Sequence, residues 1–270
     1  MSEHPARTMG ELGRGAQKRF GQNFLTSPDT ARRIAGLAGL GPGKKVIEIG
    51  PGLGALTTAL LETGARVRAV ELDRDLAARL QTELPTLELI FGDALRLDWA
   101  EAAPDGPWAV CANLPYNVAT PILERLLAEG LRFDPLVLMF QREVAERLAA
   151  QPSSPAYGAL SVLVQAEAEV RLAMILPPGA FHPRPKVHSA VVVLRPRGAP
   201  RRGGLEQRAF AKAVKAGFSQ RRKTLENALS TAYEKPRVLA ALERTVGLRR
   251  RAEELDLDAW GRLAAALEAE

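Results

Sequence analysis

A chain of 270 residues that is 46% hydrophobic can bury a full core, and its length suits one large domain or a large domain with a small appendage. Nowhere does it approach the roughly 20 uncharged apolar residues that a membrane span needs, and Glu3, Arg7, Glu11 and Arg14 stand where a secretory leader is apolar, so a cytoplasmic protein without membrane contact is expected. The single cysteine, Cys111, excludes an internal disulfide, and with only His4, His182 and His188 beside it no metal site is expected. The net charge of +6 is unevenly spread: 14 Lys and Arg against 4 Asp and Glu fall between Ala199 and Arg251, leaving the remainder at −4. Both a phosphate-binding face and a merely solvated helical surface fit that concentration.

In chain order, a basic, glycine-containing arm over 1–26 precedes Ser27-Pro28, an N-cap followed by proline at the first helical position. The spacing predicts a helix from there to Leu40, ended by Gly41-Pro42-Gly43. Short, apolar, β-branched runs at 45–49, 65–70, 87–91, 108–112 and 136–140 then alternate with helical spacing at 55–62, 75–83, 120–129 and 142–150. That alternation predicts an α/β fold, a mostly parallel sheet with helices on both faces. Gln151-Pro152-Ser153-Ser154-Pro155 reads as a surface loop, and 168–175 and 189–194 as a late hairpin that leaves an antiparallel edge. Residues 195–204, rich in proline, glycine and arginine, read as a linker. The boundary drawn there gives an α/β domain over 27–197 and a small all-helical C-terminal domain over 205–270.

Val46 to Ala55 reads as a strand, a glycine turn and a helix start, where missing side chains let the backbone approach a nucleotide-like ligand. Gly50, Gly52 and Ala55 also satisfy the dinucleotide fingerprint, so a nicotinamide enzyme, a methyltransferase and a tight turn all remain open at this motif. Glu71 closes the next strand about 20 residues on, where a carboxylate can accept both ribose hydroxyls. Asp93 ends the third strand at the same crevice and can reach an adenine, although a simple turn residue also fits. Asn113-Leu114-Pro115-Tyr116 ends the fourth, a feature that nicotinamide chemistry does not require.

Asn113-Leu114-Pro115-Tyr116 resembles the Asn/Asp-Pro-Pro-aromatic motif of methyltransferases acting on exocyclic amino groups, with Leu114 in place of the first proline. The nitrogen lone pair of such a group is delocalised into the ring, so two acceptors must hold the group facing the methyl. The Asn113 side-chain carbonyl and the backbone carbonyl of Leu114 suit that task, because Pro115 restricts the residue before it to extended backbone. Tyr116 is placed to stack on a flipped base. Cys111 reads as a small core residue rather than a nucleophile. The proline-rich segment from Phe181 to Val187 reads as a rigid loop that offers Phe181 to the other face of the base and Arg184 and Lys186 to phosphates. His182 has no partner ligands and reads as a bystander or hydrogen-bond donor.

Arg19-Phe20-Gly21-Gln22-Asn23-Phe24-Leu25, the turn from Glu48 to Thr57, Asn113 to Ile122, Gln141 to Leu148 and Phe181 to Ser189 together resemble the bacterial small-subunit (16S) ribosomal RNA adenine dimethyltransferases, whose absence is associated with kasugamycin resistance. The resemblance implies a Rossmann-like class I methyltransferase sheet and S-adenosylmethionine as methyl donor, with no metal. It also implies dimethylation of two adjacent adenosines in a hairpin loop near the 3′ end of 16S ribosomal RNA, on a small-subunit precursor, by a monomer. It assigns Asn23, Leu25, Gly50, Glu71, Asp93 and Asn113 to the donor, and Asn113, Leu114, Tyr116 and Phe181 to catalysis. Lys212, Lys215, Arg221, Arg222 and Lys223 are expected to give the helical domain a basic RNA-binding face. Three other readings compete: the large-subunit adenine methyltransferases of macrolide resistance, an assembly factor acting by binding, and a nicotinamide oxidoreductase. The last gives Asn113 to Tyr116 no work.

Overall fold

The structure, a computed structural model, describes residues 5–11, 22–220 and 222–269. These fall into two compact units, with the chain crossing between them at 145/146, 170/171 and 196/197. The first unit opens with α1 (Pro5–Glu11), β1 (Phe24–Leu25) and α2 (Pro28–Gly36), followed by β2 (Lys45–Ile49), α3 (Ala55–Leu61), β3 (Arg66–Glu71), α4 (Arg74–Glu83) and β4 (Glu88–Phe91). Next come α5 (Trp99–Ala102), β5 (Trp108–Ala112), α6 (Ala119–Ala128) and β6 (Phe133–Gln141). After α7 (Arg142–Leu148) and α8 (Ala159–Glu167), the sheet gains β7 (Ala168–Leu176) and β9 (Ser189–Pro196), with the two-residue β8 (Phe181–His182) between them.

Seven strands form one sheet in the order β4-β3-β2-β5-β6-β9-β7. β2 runs parallel to β3 and β5, as do β3 to β4 and β5 to β6, whereas β9 is antiparallel to β6. Val46, Ile47, Val110, Cys111, Val137 and Leu138 are fully buried, so the central strands are covered on both faces and read as continuous apolar runs rather than alternating ones. Strand order reverses between β2 and β5, which opens a crevice at their C-terminal ends.

Helix starts follow their capping residues. Ser27 Oγ accepts the Thr30 N–H at 3.3 Å with Pro28 at the first helical position, and Asp73 Oδ1 accepts the N–H groups of Asp75 and Leu76 at 3.1 and 3.3 Å. α2 stops at Gly36 rather than Leu40: the N–H groups of Leu37, Ala38 and Gly39 bond to carbonyls three residues back in a tighter turn, and Gly39 then takes φ +61°. The N-terminal arm also departs from expectation. Residues 1–4 and 12–21 lie outside the described residues, but Pro5–Glu11 is helical and Phe24–Leu25 is a buried strand.

The second unit holds α9 (Gln207–Gly217), α10 (Leu225–Leu229), α11 (Lys235–Thr245) and α12 (Leu257–Glu268). It also takes 146–170, which the sequence boundary leaves with the sheet. The reason is packing: Tyr157, Val162 and Ala166, on α8 and the loop before it, share one buried cluster with Phe210, Leu229 and Trp260. The Tyr157 hydroxyl donates to the Leu255 carbonyl at 2.8 Å. Among the described residues no helix is long and apolar enough to cross a membrane.

Candidate active site

The crevice contains a cavity of about 270 Å³ walled by the segments that follow β2, β3, β4 and β5. In the turn after β2, Gly50, Gly52 and Gly54 have φ of +69°, +58° and +83°, values that L side chains rarely adopt. Gly52 is doubly constrained, since a Cβ there would lie 2.9 Å from the Phe24 ring. Its N–H donates to Glu71 Oε2 at 3.1 Å, and Glu71 Oε1 accepts the N–H groups of Leu72 and Asp73 at 2.8 and 2.9 Å. Three backbone donors therefore fix the Glu71 carboxylate at the end of β3. Burial pushes its pKa up while those hydrogen bonds and the charge of Asp73 act with smaller weight. Asp93 Oδ1 accepts the Leu95 N–H at 2.9 Å, so this residue shapes its turn while lining the cavity.

At the end of β5, Asn113 Nδ2 donates to the Asn23 carbonyl at 2.8 Å. That contact turns Oδ1 away from its anchor, and neither Oδ1 nor the Leu114 carbonyl accepts a hydrogen bond among the described residues. The Leu114 side chain is buried. Half-buried Tyr116 shares a 2.7 Å hydrogen bond with the hydroxyl of Ser189. Burial raises its phenol pKa above the ordinary value, which keeps it neutral near pH 7 and unsuited to act as a base.

Asn23 and Leu25, which the resemblance assigns to the donor, both line the cavity. Phe181 does not: it is 2% exposed, packed in the core cluster of the sheet, and paired across the β1–β8 ladder with Leu25. In this structure it is buried and does not line the cavity, so it offers no open face to a base. The Thr26 N–H and hydroxyl both reach the Ala180 carbonyl, at 3.0 and 3.2 Å, and complete this strap. Arg184 and Lys186 are exposed and make no ion pair among the described residues. In the helical unit Lys215, Arg222 and Lys223 are likewise exposed, whereas Lys212 is engaged 3.5 Å from Glu268 and over the Tyr233 ring. Arg221 lies outside the described residues.

Three further residues serve the site without having been given roles by motif reasoning. Gln22 Nε2 donates to Asp73 Oδ2 at 3.2 Å, tying the strap to the β3 turn. Ser189 holds Tyr116. Glu48 is 1% exposed at the cavity wall, between Ala69 and Cys111 on the neighbouring strands, and burial pushes its carboxyl pKa up to about 8. The Thr57 hydroxyl acts against that rise, yet Glu48 Oε2 and Thr57 Oγ1 both lack a hydrogen-bond partner among the described residues. A lone acid inside the run Lys-Val-Ile-Glu-Ile is the sequence signal that marks it.

The charge of the wall discriminates between ligands. Among the described residues Glu71, Asp73 and Asp93 line the cavity with Glu48, whose raised pKa keeps it largely protonated near pH 7, and no Lys, Arg or His does. The charged side chains described there would repel a dinucleotide pyrophosphate, whereas a donor carrying a sulfonium and an ammonium finds opposite charge. Sheet order, the glycine turn and the Asn-Leu-Pro-Tyr strand end define a Rossmann-like methyltransferase of class I. The model of the ribosomal RNA adenine dimethylase family matches residues 13–268, and the chain belongs to that family. It is 46% identical over 252 residues to the ribosomal RNA small subunit methyltransferase A of Syntrophotalea carbinolica, covering 92% of this chain and 95% of that one. Its identity to the protein of the same description in Lactobacillus delbrueckii subsp. bulgaricus is 41%, over 97% and 95% of the two chains. Among solved structures, a dimethyladenosine transferase from Plasmodium falciparum is similar at a TM-score of 0.76 and 25% identity, over 89% of this chain and 95% of that one. The 23S rRNA methyltransferase ErmE is similar at 0.70 and 28%, over 92% and 100%.

Proposed function

We propose that this protein transfers methyl groups from S-adenosylmethionine to the exocyclic amino groups of two adjacent adenosines in a hairpin near the 3′ end of 16S ribosomal RNA, on a small-subunit precursor. One observation carries the reading: two unclaimed acceptors, Asn113 Oδ1 and the Leu114 carbonyl, sit beside Tyr116 in the wall of a cavity whose ionisable acids, among the described residues, are Glu48, Glu71, Asp73 and Asp93 with no basic side chain. An amino group has two hydrogens to give, and two adjacent acceptors hold it in one orientation. The small-subunit relatives, matched over 82–95% of their length at 41–48% identity, support the choice of RNA over the large-subunit alternative.

When bound, the donor supplies an electrophilic methyl on a positively charged sulfur. Glu71, fixed by three N–H groups, is positioned for the ribose hydroxyls and Asp93 for the adenine, while Asn23 and Leu25 close the strap over Gly50 and the glycine turn. Asn113 and Leu114 orient the target nitrogen, and the neutral Tyr116 ring stacks on the target base. Phe181 is buried beside Leu25, its partner in the β1–β8 ladder, so its stacking on the opposite face requires the strap to move. Arg184 and Lys186, with Lys215, Arg222 and Lys223 of the helical unit, supply cations for RNA phosphates.

Methyl incorporation from labelled S-adenosylmethionine into unmodified small subunits, with large-subunit RNA and an Asn113→Ala variant in parallel, tests the reading. Dimethyladenosine on small-subunit RNA alone, lost in the variant, is expected. Label on large-subunit RNA, or tight subunit binding without label, would overturn it.

A further inference from the structure

Both functional side chains of the Asn113–Tyr116 segment are held from outside it. Asn113 is anchored by the carbonyl of Asn23 at 2.8 Å, and Tyr116 by the Ser189 hydroxyl at 2.7 Å. Ser189 is the first residue of β9, paired with Gln141 at the end of β6, and has no exposed surface. Among the described residues its hydroxyl and that of Tyr116 are each other's only hydrogen-bond partner. Every following residue of β9 through Leu194 is apolar, so a hydroxyl at the strand's first position is not demanded by the core. A buried hydroxyl costs free energy unless paired, and this one is paired only with the ring that faces the target.

We infer that Ser189 is a positioning residue for the methyl transfer reaction, pinning the Tyr116 hydroxyl so that the ring presents one fixed face at the cavity mouth. The inference rests on the proposed function and extends it to a residue that contacts neither donor nor base. A tyrosine side chain attached only at its Cα sweeps a wide arc through its two torsions; a second attachment at the far end of the ring removes that freedom before the base arrives. The outcome is a pre-set stacking surface, with the cost of ordering it met during folding rather than at each turnover.

The test is a double-mutant cycle with Ser189→Ala and Tyr116→Phe, each of which removes one end of the hydrogen bond. Single-turnover methyl transfer to unmodified small subunits is measured beside calorimetric affinity for S-adenosylmethionine and thermal unfolding. Each single variant is expected to slow transfer about three- to tenfold, the range that loss of one hydrogen bond spans. The double variant should be no slower than the slower single one, and donor affinity should be unchanged in all three. Ser189→Ala at the wild-type rate, or losses that multiply in the double variant, would overturn the inference. If Ser189→Ala does not fold, Tyr116→Phe at a half-exposed position decides: a wild-type rate there overturns the pinning role, and a slowed one with unchanged donor affinity supports it. A wild-type enzyme that leaves small subunits unlabelled would instead overturn the functional reading and this one with it.

Discussion

Glu48 makes the stability of the sheet unit depend on pH in a direction opposite to that of most carboxylates. Its carboxyl is buried on the central strand and its pKa is pushed from 4.5 up to about 8, so between those values the folded protein holds a proton that the unfolded chain has lost. The unfolding free energy therefore falls as pH rises through that window, by about 1.4 kcal/mol per unit from this group. Across the window the loss is on the order of 4–5 kcal/mol, an upper bound because the strand can relax toward water once charged. The Glu48→Gln variant keeps the shape and removes the titration. Urea unfolding followed by tryptophan fluorescence from pH 5 to pH 8.5 should show wild type losing stability relative to the variant by several kcal/mol, with the two converging at the acid end. Taking the difference between the two proteins cancels the titrating groups that do not interact with Glu48, leaving its coupling to Glu71 and Cys111. Parallel pH profiles would refute the reasoning and mean that Glu48 is hydrated or paired in solution.

Glu71→Gln replaces one acceptor oxygen by a donor among three backbone N–H groups, so calorimetry should show donor affinity weakened at least tenfold and melting a stability loss of about 1–3 kcal/mol. Gly52→Ala puts a methyl against the Phe24 ring at a φ of +58°, and equilibrium dialysis should find donor binding lowered by a similar factor, with Ala at Gly50, which has free space, less damaging. Asn113→Asp sets a carboxylate oxygen against the Asn23 carbonyl in place of a donor. Methyl transfer should fall at least tenfold while donor affinity changes less, as separate kcat and KM measurements would show. Gly203→Ala, where a Cβ would run into the Gly261 carbonyl at a φ of +65°, should destabilise the helical unit by a few kcal/mol with donor affinity retained, as a melt and calorimetry would show.

What the sequence made legible was local. Strands buried on both faces read as apolar runs, the three left-handed glycines as a turn, and Ser27 as a helix start, because in each case the physical constraint falls on neighbouring residues. α8 was missed because Ala-Leu-Ser-Val-Leu-Val has no clear period and its burial depends on Phe210 and Trp260, far along the chain. The β1–β8 ladder, two residues long, is too short for any periodicity, and with it went the burial of Phe181.

The active site divides along the same line. Motifs found the residues that face the cavity, but the hydrogen bonds holding them join positions 19, 51, 73 and 90 residues apart, in Glu71 to Gly52, Gln22 to Asp73, Tyr116 to Ser189 and Asn113 to Asn23. Closing such loops has an entropic cost that grows only slowly with their length, so a fold can recruit an anchor from any strand end the sheet brings near. The anchor needs only one polar atom of the right kind. A backbone carbonyl at Asn23 leaves no residue-type signal at all, and a serine at the head of an apolar strand leaves only a weak one. Residues that touch the ligand carry chemistry specific enough to read in one dimension; those that aim them are chosen by where the fold puts them, which is why they come into view only in three.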